Sequence, residues 1–332
     1  MDMDLTAFVA AMPKVELHVH LVGSVCMRGH RPHSGGAPRF GSFAGFATAY
    51  GERSRTLGTG ADLEAATVDL ARALGAASVR YAEVTVTPLS HLAAGIDPDE
   101  LAESLGAGRR RAADECGVRI AWVFDISGDL GPAAGLETVR WVLRHGPEGT
   151  VGFGLGGPEA GIARAPFKEA FDQAIRAGLH SVPHAGETAG PASVWSALDD
   201  LGAERIGHGI RSAEDPALLE RLAAERVALE VCPTSNACTG AVADLAAHPL
   251  PRLLEAGVPV TLATDNPAIF DTDLNREYVL AHEALGLGRA ELLAMAATGI
   301  EAAFCPPALR RELAAELERF AQSSHSADRS ST

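Results

Sequence analysis

The chain has 332 residues, of which 47% are hydrophobic and 21% charged, and its formal net charge is −15 at pH 7. This acidic balance argues against a nucleic-acid backbone or an anionic membrane as the partner, and no run of 18 uncharged apolar residues predicts a membrane span. Five scattered cysteines and the acidic start Met1-Asp2-Met3-Asp4, unlike a signal peptide, favour a reducing cytoplasm.

The first predicted strand contains a pair of histidines. It lies within Pro13-Lys14-Val15-Glu16-Leu17-His18-Val19-His20-Leu21-Val22-Gly23-Ser24 and follows a short helical segment. Because side chains alternate along a strand, His18 and His20 are expected about 7 Å apart on one face. Two imidazoles at a strand end can share one divalent metal. The alternative is one histidine packed in a core and one held by a hydrogen bond.

The rest of the chain alternates between helices and short apolar strands. A segment rich in Gly, Pro and Arg, 25–42, predicts a short mobile loop over the end of the first strand, and helices follow at 43–49 and 61–74. Seven more strands, each followed by a helix, are predicted at 79–88, 119–126, 151–157, 179–184, 205–208, 227–231 and 258–264.

Eight strand–helix repeats predict an α/β fold, a (β/α)8 TIM barrel, as a single domain. We expect this barrel over residues 1–322 and a disordered polar tail over 323–332. An open doubly wound sheet is the alternative, but the chain has no Gly-x-Gly-x-x-Gly segment in a turn between a predicted strand and a helix, where it would bind a dinucleotide.

Polar residues follow the predicted strands at the ends where barrel enzymes hold their active sites. They stand in His184-Ala185-Gly186-Glu187 after the fifth strand, Gly207-His208-Gly209 after the sixth and Thr264-Asp265-Asn266-Pro267 after the eighth. With the first two histidines, His184 and Asp265 would complete a mononuclear metal site. Taken singly, His208 could fill space, Asp265 could form a turn and Glu187 could be a helix-end carboxylate.

This set of residues suits hydrolysis of an unsaturated C–N bond. A divalent metal lowers the pKa of bound water to about 7. Glu187 can then shuttle protons to the ring atom beside the attacked carbon, and His208 can orient the water or take its proton.

These motifs, together with Glu230-Val231-Cys232-Pro233-Thr234-Ser235-Asn236, resemble the adenosine deaminase family of the amidohydrolase superfamily. The resemblance implies a zinc-dependent barrel that replaces the 6-amino group of a purine with oxygen, acting on a small adenine nucleoside. It implies one zinc ion per chain, held by His18, His20, His184 and Asp265. It further implies that Glu187 shuttles a proton to purine N1, His208 positions the attacking hydroxide, the Gly157 N–H faces N3 and Asn266 faces N7.

Three features depart from the common family pattern. Val22 stands where most members carry an acid that holds the sugar 5′-hydroxyl, Asn266 replaces the second carboxylate of an Asp-Asp pair, and segment 25–42 is shorter than the usual helical lid. In Val22 and in the segments Thr85-Val86-Thr87-Pro88 and Gly154-Leu155-Gly156-Gly157-Pro158-Glu159, the chain is most similar to the aminodeoxyfutalosine deaminases of menaquinone biosynthesis. Their substrate extends from the 5′ position to a benzoate, for which Arg28, Arg31 and Arg39 are the candidate partners.

Several rival functions are weighed against this resemblance. Two-metal relatives use a carboxylated lysine at the end of strand four, where this chain has glycines, and Lys168 falls in the next helix. The cytidine-deaminase type of zinc site needs Pro-Cys-x-x-Cys, which is absent because Cys232 and Cys238 are too far apart. A nucleoside-binding protein without turnover and an adenine deaminase remain as alternatives.

Overall fold

The computed structural model describes residues 4–26, 40 and 42–329, with side chains up to residue 324. Most of the predicted loop 25–42, including Arg28, Arg31 and Arg39, lies outside the described residues, as do the last three residues of the predicted tail.

Eight parallel strands form the barrel, and each pairs with the next along the chain in the order β1 to β8. Their bounds are β1 Lys14–His20, β2 Val79–Val86, β3 Arg119–Ser127, β4 Thr150–Gly156, β5 His180–Ala185, β6 Arg205–His208, β7 Ala228–Val231 and β8 Val260–Leu262. The predicted (β/α)8 barrel is confirmed.

Residues of the predicted site close the barrel at its seam, where the segment after β8 meets β1. Asp265, just after β8, pairs in parallel with Val19 of β1. Its backbone N–H donates to the His18 carbonyl at 2.9 Å, and its carbonyl accepts from the His20 N–H at 2.8 Å. All seven residues of β1 are buried, as expected for a barrel strand enclosed on both faces. The seam therefore fixes three predicted metal ligands to one another through the backbone.

Helices follow the strands around the outside of the barrel. Their bounds are α1 Leu5–Ala11, α2 Phe43–Ser54, α3 Gly60–Ala76, α4 Pro88–Ala93, α5 Pro98–Cys116, α6 Gly131–His145, α7 Lys168–Arg176, α8 Pro191–Leu201, α9 Pro216–Glu225, α10 Pro233–Cys238, α11 Leu250–Glu255, α12 Pro267–Phe270, α13 Leu274–Leu285, α14 Arg289–Ala302 and α15 Pro307–Arg329. Among the described residues, every helix is too short or too polar to cross a membrane.

The helices differ from the predicted ones in two respects. Strands β2, β7 and β8 are each followed first by a short helix, α4, α10 and α12 respectively, that was not predicted as a separate element. Each of these helices begins with a proline, whose fixed φ suits the first helical position. Helices of four to six residues are too short to show a hydrophobic period, which is why the sequence does not reveal them. The last helix continues to Arg329, into the stretch 323–332 that was expected to be a disordered tail.

A buried ionic network joins strands β2, β6 and β7. The Arg205 guanidinium donates to the carboxylates of both Glu83 and Glu230, and it also donates to the Ala302 carbonyl at 2.7 Å. These three charged side chains are almost fully buried. A buried charge is tolerated when it is paired and hydrogen-bonded, so removal of any one of the three side chains would leave a buried charge without its partner.

Candidate active site

The predicted ligand side chains converge at the carboxyl ends of β1, β5 and β8. The His20 Nε2 atom lies 3.3 Å from His184 Nε2 and 3.4 Å from Asp265 Oδ1. His18 Nε2 lies 3.6 Å from the same Asp265 oxygen. His208 belongs to a second, overlapping group with His18 and His184, in which candidate ligand atoms lie within 4.8 Å of one another. The structure thus brings together every residue predicted to hold a metal.

His18 lies between two carboxylates. Its Nδ1 is 2.8 Å from Glu230 Oε2, and its Nε2 faces Asp265. Burial alone would lower the pKa of His18, but the adjacent Asp265 and Glu230 carboxylates raise it to about 10. This surplus of negative charge in a buried position is the electrostatic setting that a cation requires.

The other two histidines favour a cation between them. Burial lowers the pKa of His20, although the charges of Asp265 and Asp125 oppose it, and burial together with the neighbouring histidines lowers the pKa of His184, so each imidazole is held neutral. Two neutral ring nitrogens 3.3 Å apart repel unless a proton or a cation lies between their lone pairs. Among the described residues, His18 Nε2 has no hydrogen-bond partner although it is buried. Three nitrogens and one carboxylate oxygen match the donors that zinc accepts in open sites.

Backbone geometry lets these side chains approach closely. His208 and Asp265 both have left-handed backbones, with φ of 60° and 61°, which is uncommon for residues other than glycine. Gly207 makes room for the imidazoles, because a Cβ atom there would lie 2.9 Å from His18 Cε1 and 3.1 Å from His184 Cγ. Strained backbone of this kind persists where the surrounding structure holds it, often at functional sites.

Glu187 lies beside the ligand cluster, on the turn after β5. Its carboxylate accepts a 3.3 Å hydrogen bond from the Thr239 hydroxyl, and it lies 3.8 Å from His208 Nε2. Burial, then the charges of Asp265 and Glu159, raises its pKa to about 8. A carboxyl group that is neutral at pH 7 can donate a proton, as a general acid must.

Glu159, which the sequence analysis did not single out, holds the turn that carries Glu187. Its Oε2 accepts the backbone N–H groups of residues 187, 188 and 189 at 2.8–3.0 Å. Its Oε1 accepts from the Gly186 N–H and the Ser193 hydroxyl. Burial opposes its ionisation, but these bonds and the charge of Arg164 keep the pKa of Glu159 below its usual value. One buried carboxylate therefore orders the whole turn.

Glu159→Gln is expected to lower the free energy of unfolding by about 1–3 kcal/mol, the cost of leaving buried donors unpaired. In either orientation of the glutamine amide, its NH2 group would face N–H or O–H donors that bond to a carboxylate oxygen in the wild type. We expect kcat to fall as well, because the turn positions Glu187. Urea unfolding measures the first effect, with the exposed Glu214→Gln as the control. A stability within 0.5 kcal/mol of wild type would contradict this account.

A cavity of about 280 Å³ opens above the ligand cluster, and helix α2 forms one wall. Three aromatic side chains of α2 line this wall, namely Phe43, Phe46 and Tyr50. The segment that lies over the ligand cluster is therefore helix α2, which follows the predicted loop 25–42 in the sequence. The loop itself stays a prediction, because most of it lies outside the described residues.

The three residues predicted to contact substrate differ in position. Gly157 and Asn266 both line the cavity. The Asn266 Nδ2 group donates to Asp265 Oδ1 at 2.5 Å, which leaves its second hydrogen available for a ligand. Val22 lies in a short 3-10 turn, is 2% exposed and is not among the described residues that line the cavity. Its predicted contact with substrate is therefore not seen in the described part of the chain.

Asp125 also belongs to the site, although no sequence motif marks it. Asp125, at the end of β3, lines the cavity and accepts a hydrogen bond from the Thr87 hydroxyl at 2.5 Å. Burial raises its pKa. The sequence gives one signal for Asp125, which is its position near the carboxyl end of a predicted strand. The same signal identified the site residues of β1, β5, β6 and β8.

Comparisons with known proteins agree with this geometry. A family model described as adenosine deaminase matches residues 31–320. The chain is 45% identical to the aminodeoxyfutalosine deaminase of Streptomyces coelicolor, over 96% of this chain and 86% of that protein. It is 37% identical to an adenine deaminase of Rhizobium leguminosarum, over 92% and 99%. Its fold superposes on the crystal structure of an adenine deaminase from Arthrobacter aurescens with a TM-score of 0.87 at 27% identity, covering 94% and 100%.

Proposed function

The chain belongs to the adenosine deaminase family, and we propose that it hydrolyses the 6-amino group of an adenine nucleoside and releases ammonia. The observation that carries the proposal is the position of Glu187, a buried carboxyl group beside four converging metal-type ligands at the floor of a cavity. A proton donor, a site for a dication and a space for a ligand are the three parts that this hydrolysis needs.

A divalent metal, zinc by preference and one per chain, would be held by His18, His20, His184 and Asp265. When bound, it would supply a Lewis acid that lowers the pKa of water to about 7. Support comes from the donor set and from the charge around His18, as described above. The Asp265 carboxylate is also oriented for this task, because its Oδ2 accepts a 2.7 Å hydrogen bond from the Ser235 hydroxyl.

The chain's own residues would divide the reaction between them. Glu187 gives a proton to purine N1, which makes C6 more electrophilic, while water adds to C6. His208 lies 3.8 Å from Glu187 and would position that water. The C6–N bond then breaks, and the amino group leaves as ammonia with a proton from water. The Gly157 N–H would bond N3, and Asn266 would donate to N7 without titrating.

We propose aminodeoxyfutalosine as the preferred nucleoside. The 45% identity to an aminodeoxyfutalosine deaminase exceeds the 37% identity to an adenine deaminase, although both span nearly the whole chain. The resemblance places an acceptor for a free 5′-hydroxyl at position 22, where the buried Val22 offers none and lies outside the described lining of the cavity, and an unpaired buried hydroxyl costs about 1–3 kcal/mol. The aromatic wall of α2 would suit an apolar 5′ extension.

Ammonia release from four compounds tests this proposal. We expect kcat/KM to fall in the order aminodeoxyfutalosine, adenosine and adenine, and the 7-deaza form of the best substrate to lose about 5- to 30-fold, the scale of one hydrogen bond. Adenine as the best substrate would instead identify an adenine deaminase. Tight binding of a nucleoside without ammonia release would identify a binding protein that has lost turnover.

A further inference from the structure

A buried line of hydrogen bonds lies behind His208 and has no part in the ligand cluster. The Leu250 backbone N–H donates to His248 Nδ1 at 3.1 Å. His248 Nε2 lies 3.2 Å from Asn236 Oδ1, and Asn236 Nδ2 lies 3.2 Å from His208 Nδ1. All three side chains are at most 3% exposed. Water therefore has little access to these groups, and the line must satisfy itself internally.

The direction of every bond in this line follows from its first donor. A backbone N–H can only donate, so His248 Nδ1 is an acceptor and carries no proton. Burial lowers the pKa of His248 to about 4, so its ring is neutral and its single proton is on Nε2. That N–H donates to Asn236 Oδ1, which fixes the orientation of the amide. The Asn236 NH2 group must then donate to His208 Nδ1.

We propose that Asn236 and His248 are positioning residues that hold His208 as the neutral tautomer with its proton on Nε2. The inference rests on the proposed function for the task of His208, but the tautomer itself follows from the hydrogen bonds. His208 then presents a donor to the reaction centre, and it cannot accept a proton from water at that nitrogen. Both protons of the attacking water pass through Glu187. One replaces the proton given to N1, and the other leaves with ammonia.

The same hydrogen bonds indicate that His208 is not one of the metal ligands. A metal-binding histidine usually donates its other ring N–H to a carboxylate or carbonyl. His18 fits this rule, because its Nδ1 faces the Glu230 carboxylate at 2.8 Å and its Nε2 is left free. His208 does the reverse, since its Nδ1 faces an amide donor. Of the two overlapping groups of candidate ligands, the geometry thus favours the one with His20 and Asp265.

Nitrogen NMR of the metal-loaded enzyme with 15N-labelled histidine tests the tautomer directly. The His208 signals, assigned by their loss in His208→Gln, are expected to show a protonated Nε2 and an unprotonated Nδ1. Asn236→Asp places an acceptor where the NH2 group stands, so the proton of His208 is expected to move to Nδ1. Loss of an outer hydrogen bond to a site residue typically costs about 10- to 100-fold, and we expect kcat of Asn236→Asp to fall on that scale.

A second pair of variants separates positioning from folding. His248→Gln keeps a donor for Asn236 and should retain the wild-type tautomer and most of kcat, whereas His248→Leu lacks the donor and should lose both. Metal content should stay at the wild-type level in all of them, and exposed His282→Gln serves as the control. A proton on Nδ1 of wild-type His208, or an unchanged tautomer in Asn236→Asp, would overturn the inference. Failure to deaminate any adenine nucleoside would overturn the proposed function while leaving the tautomer result valid.

Discussion

Replacing Glu187 with glutamine is expected to lower kcat by about 10²–10⁴-fold while the variant still folds and binds metal. Glutamine fills the same space and can still accept from the Thr239 hydroxyl, but it has no proton that it can give to N1 and take back. The clamp by Glu159 acts on backbone N–H groups and remains intact. Ammonia release under saturating substrate measures the loss, and elemental analysis measures the metal.

The pH dependence adds an independent test of the same role. Glu187 must be protonated to act as a donor, and burial with the nearby charges of Asp265 and Glu159 raises its pKa to about 8. A bound dication would pull this value down. Wild-type kcat/KM should therefore fall as the pH rises and the carboxyl group loses its proton, and Glu187→Gln should lack that ionisation. A glutamine variant within a few-fold of wild type would show that Glu187 is only a helix-end carboxylate.

The barrel could be predicted because its strands are enclosed on both faces. Each strand reads as a short apolar run, and the helices between them separate the runs clearly, as at Val79–Val86 and Arg119–Ser127. Parallel strands place their carboxyl ends together, so residues far apart in the chain, such as His20 and Asp265, could be expected to meet. The structure places their side chains 3.4 Å apart. Their roles as ligands stay a prediction.

The residues behind the site could not be predicted in the same way. Glu159 acts through five hydrogen bonds to a turn 27 to 34 residues away, and this depends on how the loop after β4 folds over β5. Asn236 contacts His208, and His248 contacts Asn236 from a different segment of the chain. Neither residue belongs to a strand. Residue type and periodicity carry no information on such contacts, because tertiary packing alone creates them.

His184→Ala is expected to lose the metal and the activity together. His184 is the one predicted ligand from β5, and its Nε2 lies 3.3 Å from His20 Nε2. Its removal would leave three ligands and a gap next to the cavity, which weakens binding of a dication strongly. Metal analysis after dialysis is expected to give about one equivalent for wild type and far less for the variant. His180→Ala, at the opposite end of the same strand, is the matched control and should keep its metal.

Unfolding experiments with and without a chelator test the role of His184 in metal binding without depending on turnover. A ligand at about 1,000 times its dissociation constant stabilises the folded state by about 4 kcal/mol. Chelation should therefore lower the unfolding free energy of wild type and of His180→Ala, whereas His184→Ala should unfold alike in both conditions. His18, His20 and Asp265 would still crowd together in that variant, so its baseline stability should lie near that of chelated wild type. A His184→Ala protein that retains one equivalent of metal, or a wild type indifferent to chelation, would remove His184 from the ligand set.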